Sequence, residues 1–248
     1  MKNSVVRLVA LFAMIVGCLC IYNVLSVVIS FPGTLSAASV MWSVLGWVAL
    51  YGGYQTLALK PLGRRLLLVF FSCQIVFVLY IVFIVSLLLV VAAVQNQLSH
   101  LSLGWPAQIY LLVMGYAGLC VLCLYLLLRK DITGAFRPEN EHRHIKILAR
   151  TLALLAPGLG RALIANYWWG AILYLVCFGL VAGWNVIEVT DPVGPTGPLL
   201  ALLTNLFIKL LIWLFFLGMD WIFVNDALKE QDVVSPPAEA LLPEPGGE

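Results

Sequence analysis

The chain has 248 residues, 62% of them hydrophobic and only 10% charged, with a mean hydropathy of +1.02. Soluble domains carry about 25% charged residues; here the charges are few and gathered between long uncharged runs, which excludes a soluble globular domain. A formal net charge of +2 is too small for a nucleic-acid-binding surface, so the lipid bilayer is the first partner to consider.

The first apolar run covers 5–29, behind Lys2 and Arg7. Its Ile15-Val16-Gly17-Cys18 admits a lipoprotein-type processing site, but the run outlasts a signal h-region and is expected to be a transmembrane helix. Further spans are expected at 37–59, 66–94 and 106–128. The third exceeds the roughly 20 residues a bilayer requires, so it should tilt or project. A basic loop, 129–150, follows these four helices. The segment 151–166 is short and broken by Pro157-Gly158-Leu159-Gly160-Arg161. Proline removes a backbone donor and glycine weakens a helix, so this segment is expected to be re-entrant or interfacial. Spans at 169–190 and 198–224 complete a set of six, and 233–248, rich in proline and glutamate, reads as a disordered acidic tail.

Basic residues concentrate on the cytoplasmic side of membrane proteins. Six crossings with the N-terminus inside place thirteen of the fourteen Lys and Arg residues in the cytoplasm, all but Lys209. The outer loops near 30–36, 95–105 and 191–197 then hold none. Counting 151–166 as a crossing would send Lys229 outside. The expected fold is therefore an all-α polytopic helix bundle in the cell membrane with both termini cytoplasmic. Its parts are a four-helix region (1–128), the basic loop (129–150), the hairpin with two helices (151–232) and the tail. Tyr167-Trp168-Trp169 is expected at the inner headgroup level, and Trp105 and Trp184 at the outer one.

The run Leu152-Ala153-Leu154-Leu155-Ala156 leads into Pro157-Gly158-Leu159-Gly160-Arg161 and then Asn166-Tyr167-Trp168-Trp169-Gly170. This stretch resembles the Pro-Gly-Leu-Gly hairpin of small bacterial membrane proteins built on two-helix modules. Arg161 stands where those proteins have glutamine, Leu163 where they have an aromatic residue and Ala165 where they have a turn glycine. Asp226-Ala227 resembles the Asp-Ala that closes such modules. The resemblance covers 152–227, implies a hairpin in a bacterial inner membrane, and implies no particular activity.

The polar residues inside the spans are the candidate functional groups. Lys209 lies near the middle of the last span, where a lysine costs about 3 kcal/mol or more. At about 100° per residue, Asn205, Lys209 and Asp220 fall within about 60° of one another, so one face of this helix is polar. That face suits an ion or proton path, a contact with another subunit, or a packing contact to Gln74, Asn23 or backbone carbonyls. Arg161 suits a lipid phosphate or partner, or extends to the headgroups. Gly179 and Gly183 form a GxxxG that permits close helix approach.

Catalytic, cofactor and metal sites are not expected. The three histidines, His100, His142 and His144, all lie outside the spans, which leaves no intramembrane histidine to ligate haem or a metal. Cys120 and Cys123 have redox-motif spacing, yet no cysteine lies in an outer loop to pass electrons onward; all six cysteines are expected to be free packing residues. The expected function is a non-enzymatic subunit or assembly partner of a membrane complex, with other membrane subunits or its own copies as partners. The alternative is a small transporter or channel using the Asn205–Lys209–Asp220 face.

Overall fold

Inside a bilayer no water satisfies backbone N–H and C=O groups, so an uncharged run must close its hydrogen bonds within itself, as a helix. The computed structural model describes residues 2–30, 37–94, 104–136, 142–164, 167–190 and 198–234, and among these there is no strand. The long helices are α1 (Lys2–Ser30), α2 (Ala37–Leu57), α3 (Pro61–Val94) and α4 (Gly104–Leu128). The short α5 (Lys130–Thr133), α6 (His142–Leu155) and α7 (Leu159–Ile164) follow, then α8 (Tyr167–Thr190) and α9 (Pro198–Val234). Pro61 and Pro198 open their helices at the position where a missing N–H costs nothing.

Among the described residues four helices are long and apolar enough to cross a membrane: Asn3–Ser30, Pro61–Phe83, Gln108–Leu128 and Leu210–Lys229. The protein is membrane-embedded. Of the six expected spans, α2 and α8 fall outside this set. Glycines, serines and amphipathic aromatic rings dilute the hydropathy of α2, and the apolar stretch described in α8 is the shorter Tyr167–Leu180.

α3 is the central helix. Its apolar stretch is 56% buried, against 28% for α1, 22% for α4 and 17% for α9. Leu66, Leu67, Val69, Phe70 and Phe71 supply its fully enclosed side chains. Consecutive helices α1 to α4 pack pairwise, α8 returns against α3 and α2, and α9 lies on α6, α7 and α8. The Tyr174 hydroxyl of α8 donates to the Met41 carbonyl of α2 at 2.9 Å, tying the second half of the chain to the first.

Small residues hold α1 against α2. A Cβ at Gly17 would lie 2.8 Å from the Gly46 carbonyl oxygen, and one at Gly46 would lie 3.0 Å from the Gly17 oxygen. Ala13 and Ala49 on the same two helices are fully enclosed. This is the close approach that small residues permit in lipid, where Leu against Leu gains little over Leu against a lipid tail. In the GxxxG of α8, Gly179 has Tyr80 at an ordinary 3.9 Å among the described residues, and Gly183 lies outside those whose contacts are described.

Two expectations are corrected. The stretch 129–150 is not a plain loop, because α5 and most of α6 lie within it. Ile145, Ala149, Leu152 and Ala153 form a buried stripe along α6, while Lys146 and Arg150 are not buried, and such a pattern drives an amphipathic helix. The helix α9 continues to Val234, two residues into the stretch expected as a tail, and 235–248 lie outside the described residues. The three expected outer loops also fall largely or wholly outside them.

Candidate functional site

The expected non-crossing segment is a helical hairpin. α6 has 14 residues and α7 has 6, each too short for a bilayer at about 1.5 Å per residue. The Ala156 N–H closes α6 onto Leu152, Pro157 offers no donor, and α7 begins with the Ala162 N–H bonded to the Gly158 carbonyl. Gly158 turns the chain with φ +98°, a region that side-chain-bearing residues rarely adopt. A Cβ there would lie 2.5 Å from the Gly170 carbonyl oxygen and 2.5 Å from the Tyr174 nitrogen of α8.

The other two glycines serve contact. A Cβ on Gly160 would meet the Ala149 carbonyl oxygen of α6 at 2.5 Å, and one on Gly170 would meet the Ala162 nitrogen of α7 at 2.4 Å. Pro157, Gly158, Leu159 and Gly160 are all buried. The turn is thus pressed between α6 and α8 with backbone against backbone.

Asp220, expected on a polar face with Lys209, is fully buried against this turn. Its Oδ1 accepts the Arg161 backbone N–H at 3.3 Å, and the N–H groups of Gly158 and Gly160 also face the carboxylate. Oδ2 has no hydrogen-bond partner among the described residues. One turn along α9, the Phe223 ring lies under the Arg161 guanidinium, 4.1 Å from centroid to Cζ. Arg161 is therefore bound to α9 twice, by its backbone to Asp220 and by its side chain to Phe223. Asp226, prominent in the family resemblance, is instead at the surface, 3.6 Å from Lys229. The backbones of Asn205 and Lys209 belong to α9, but their side chains lie outside the described residues.

Gln74 is buried on α3 at 2% exposure. Its Oε1 accepts the Tyr116 hydroxyl of α4 at 3.0 Å, and its Nε2 has no partner among the described residues. Among the described residues the polar neighbour of Gln74 is Tyr116, which sequence reasoning passed over; a hydroxyl midway along an apolar helix was the available signal. Beside this pair runs a cleft of about 350 Å³. It arises because α1 packs on α2 and α4 on α3, leaving a gap between α1 and α4 floored by α3. Leu19 and Asn23 of α1, Gln74 and Phe77 of α3, and Leu112 and Tyr116 of α4 line it.

All six cysteines are free, and Cys120 and Cys123 are buried in the core. Among the described residues no group of three or more His, Cys, Asp or Glu side chains is placed to hold a metal. The described polar groups bind helix to helix: a carboxylate on backbone N–H groups, a cation over a ring, an amide on a phenol. Compared with protein-family models, curated proteins and solved structures, the chain matches none. The likeness of its hairpin to the two-helix modules stands on the residues quoted for it.

Proposed function

We propose that the chain is a multi-pass, non-enzymatic subunit or assembly partner of a membrane complex, with both termini cytoplasmic. The observation that carries this reading is a contrast among glycines. Gly17 and Gly46 and the hairpin glycines are packed to close contact, whereas Gly115 and Gly118 on α4 have nothing within 4 Å among the described residues. Glycine weakens a helix, and in a bilayer its return is the close approach of another helix. Only 22% of the α4 apolar stretch is buried within the chain, which leaves that face for a helix of another subunit or a second copy. The thirteen basic residues assigned to one side support the orientation.

Blue-native electrophoresis and crosslinking in mild detergent test it. The wild type should migrate above the monomer, and Gly118→Leu should shift it down with an unchanged helical circular-dichroism signal. A wild type that stays monomeric and uncrosslinked would overturn the reading. Transport along the Asn205–Lys209–Asp220 face has less support, because hairpin backbone groups hold the Asp220 carboxylate. Flux in proteoliposomes that Lys209→Leu abolished in a folded protein would favour it instead.

A further inference from the structure

We propose that the basic edge of α6 is a binding site for an anionic phospholipid, whose phosphate is held by Arg150 while its acyl chains lie along Ile147, Leu154 and Leu155. Such a site is independent of whether the chain has protein partners. Helical spacing gives α6 three faces. At about 100° per residue, Ile145, Ala149, Leu152 and Ala153 share roughly one third of the circumference. All four are buried, on the side where α6 packs against α7 and α9. Leu154, Ile147 and Leu155 fall in the opposite part of the helix, 46%, 56% and 46% exposed. Lipid chains cover such a face as well as protein does, whereas water does not.

Between these two apolar faces runs the charged edge. Positions 143, 146 and 150 hold Arg, Lys and Arg at spacings of three and four residues, which places them along one line of the helix. The helix itself contains no Asp or Glu. Arg150 is exposed and makes no ion pair among the described residues. Of the acids on the packed helix α9, Asp220 faces the hairpin turn and Asp226 lies beside Lys229, so neither neutralises it.

Contacts through the hairpin set the level of this edge. The carbonyl of Ala149, the residue before Arg150, lies against Gly160 of α7, and Ala162 of α7 presses its backbone on Gly170 of α8. Gly170 follows the exposed rings of Trp168 and Trp169, which settle where headgroups meet acyl chains. Arg150 therefore sits near the phosphates of the leaflet on the hairpin side. A guanidinium pairs with a phosphate through two parallel N–H···O bonds. Phosphatidylcholine carries the same phosphate, but a basic edge repels its choline cation, so a phospholipid of net negative charge is the complement. A soluble phosphate compound shares the phosphate and gains nothing from Ile147 and Leu154.

Native mass spectrometry of the full-length protein in detergent tests the site, counting bound lipid as phosphatidylglycerol or phosphatidylcholine is titrated. The wild type should bind its first phosphatidylglycerol about tenfold more tightly than phosphatidylcholine. Arg150→Gln should reduce that preference about fivefold, the effect of roughly one basic residue at a membrane surface. Arg7→Gln removes the same charge from an exposed position on α1 and should leave the preference within about twofold of wild type, less than the loss from Arg150. Equal affinity of the wild type for the two lipids, an unchanged preference in Arg150→Gln, or an equal fall in Arg7→Gln would overturn the site. Glycerol 3-phosphate is then added as a competitor and should not displace phosphatidylglycerol. Displacement at equal concentration would assign the edge to a soluble phosphate compound and overturn the lipid assignment. If Arg150→Gln does not fold, judged by circular dichroism, Arg150→Met, which keeps the apolar stem and removes the charge, takes its place with the same expectation.

Discussion

The Asp220 carboxylate of α9 accepts the backbone N–H of Arg161, 59 positions earlier in the chain, at 3.3 Å. A negatively charged or polar oxygen facing the exposed N–H groups of a turn does for the hairpin what a capping side chain does for a helix start. It also fixes α9 to the hairpin formed by α6 and α7. A buried N–H deprived of its acceptor costs about 1–3 kcal/mol. Asp220→Leu is therefore expected to lower stability by about 3 kcal/mol, and Asp220→Asn, which keeps an acceptor oxygen, by about 1 kcal/mol. Equilibrium unfolding of the detergent-solubilised protein measures the difference; equal losses for both variants would show that the oxygen does not matter.

Arg161 and Phe223 should be energetically coupled. A guanidinium over an aromatic face contributes about 0.5–2 kcal/mol, depending on desolvation. A double-mutant cycle of Arg161→Ala and Phe223→Leu should return a coupling of about 1 kcal/mol. A coupling indistinguishable from zero would mean that the two merely lie near each other.

Glycines of this chain should divide sharply by position. Gly158→Ala has both a left-handed backbone and a Cβ 2.5 Å from two backbone atoms of α8. Gly170→Ala drives a Cβ into the Ala162 backbone at 2.4 Å. Each is expected to cost 3 kcal/mol or more, roughly the upper end of overpacking losses, seen as loss of folded protein after membrane extraction. Gly115→Ala and Gly118→Ala meet nothing among the described residues and should raise helix stability by up to about 1 kcal/mol in the monomer.

The bond from Tyr174 to the Met41 carbonyl predicts a smaller effect. Tyr174→Phe keeps the ring and removes the hydroxyl, leaving that acceptor without its partner at 2.9 Å. A loss of about 1 kcal/mol is expected. Thermal denaturation monitored by near-ultraviolet circular dichroism, which senses the aromatic residues around α8, is the appropriate measurement.

Much of the fold was legible without coordinates because its causes are local. Uncharged runs must become helices in lipid, and the break at Pro157–Gly160 follows from a missing donor and a glycine free to take φ +98°. The helix in 142–150 was legible too, in the spacing of Ile145, Ala149 and Leu152, but its charges drew the reading toward a loop. The faces of the long helices were not legible. On α1, buried Val6, Val9 and Ala13 alternate with outward Leu8, Leu11 and Ile15. A bilayer is as apolar as a protein core, so hydropathy carries no mark of which side meets protein.

The sequence by itself therefore determined the class of the molecule: an all-helical, membrane-embedded chain with a hairpin too short and too broken to cross. Only the tertiary structure decided which polar groups meet. Helical periodicity placed Asp220 in line with Lys209, yet its carboxylate is held by the turn at Gly158–Arg161, and Oε1 of Gln74 on α3 accepts from Tyr116 of α4, a meeting that periodicity alone does not give. Periodicity fixes the direction of a side chain around its own axis. What stands opposite depends on how helices distant in sequence pack, and that is set by close contacts such as Gly17 on Gly46 and Gly170 on Ala162, which no single helix contains.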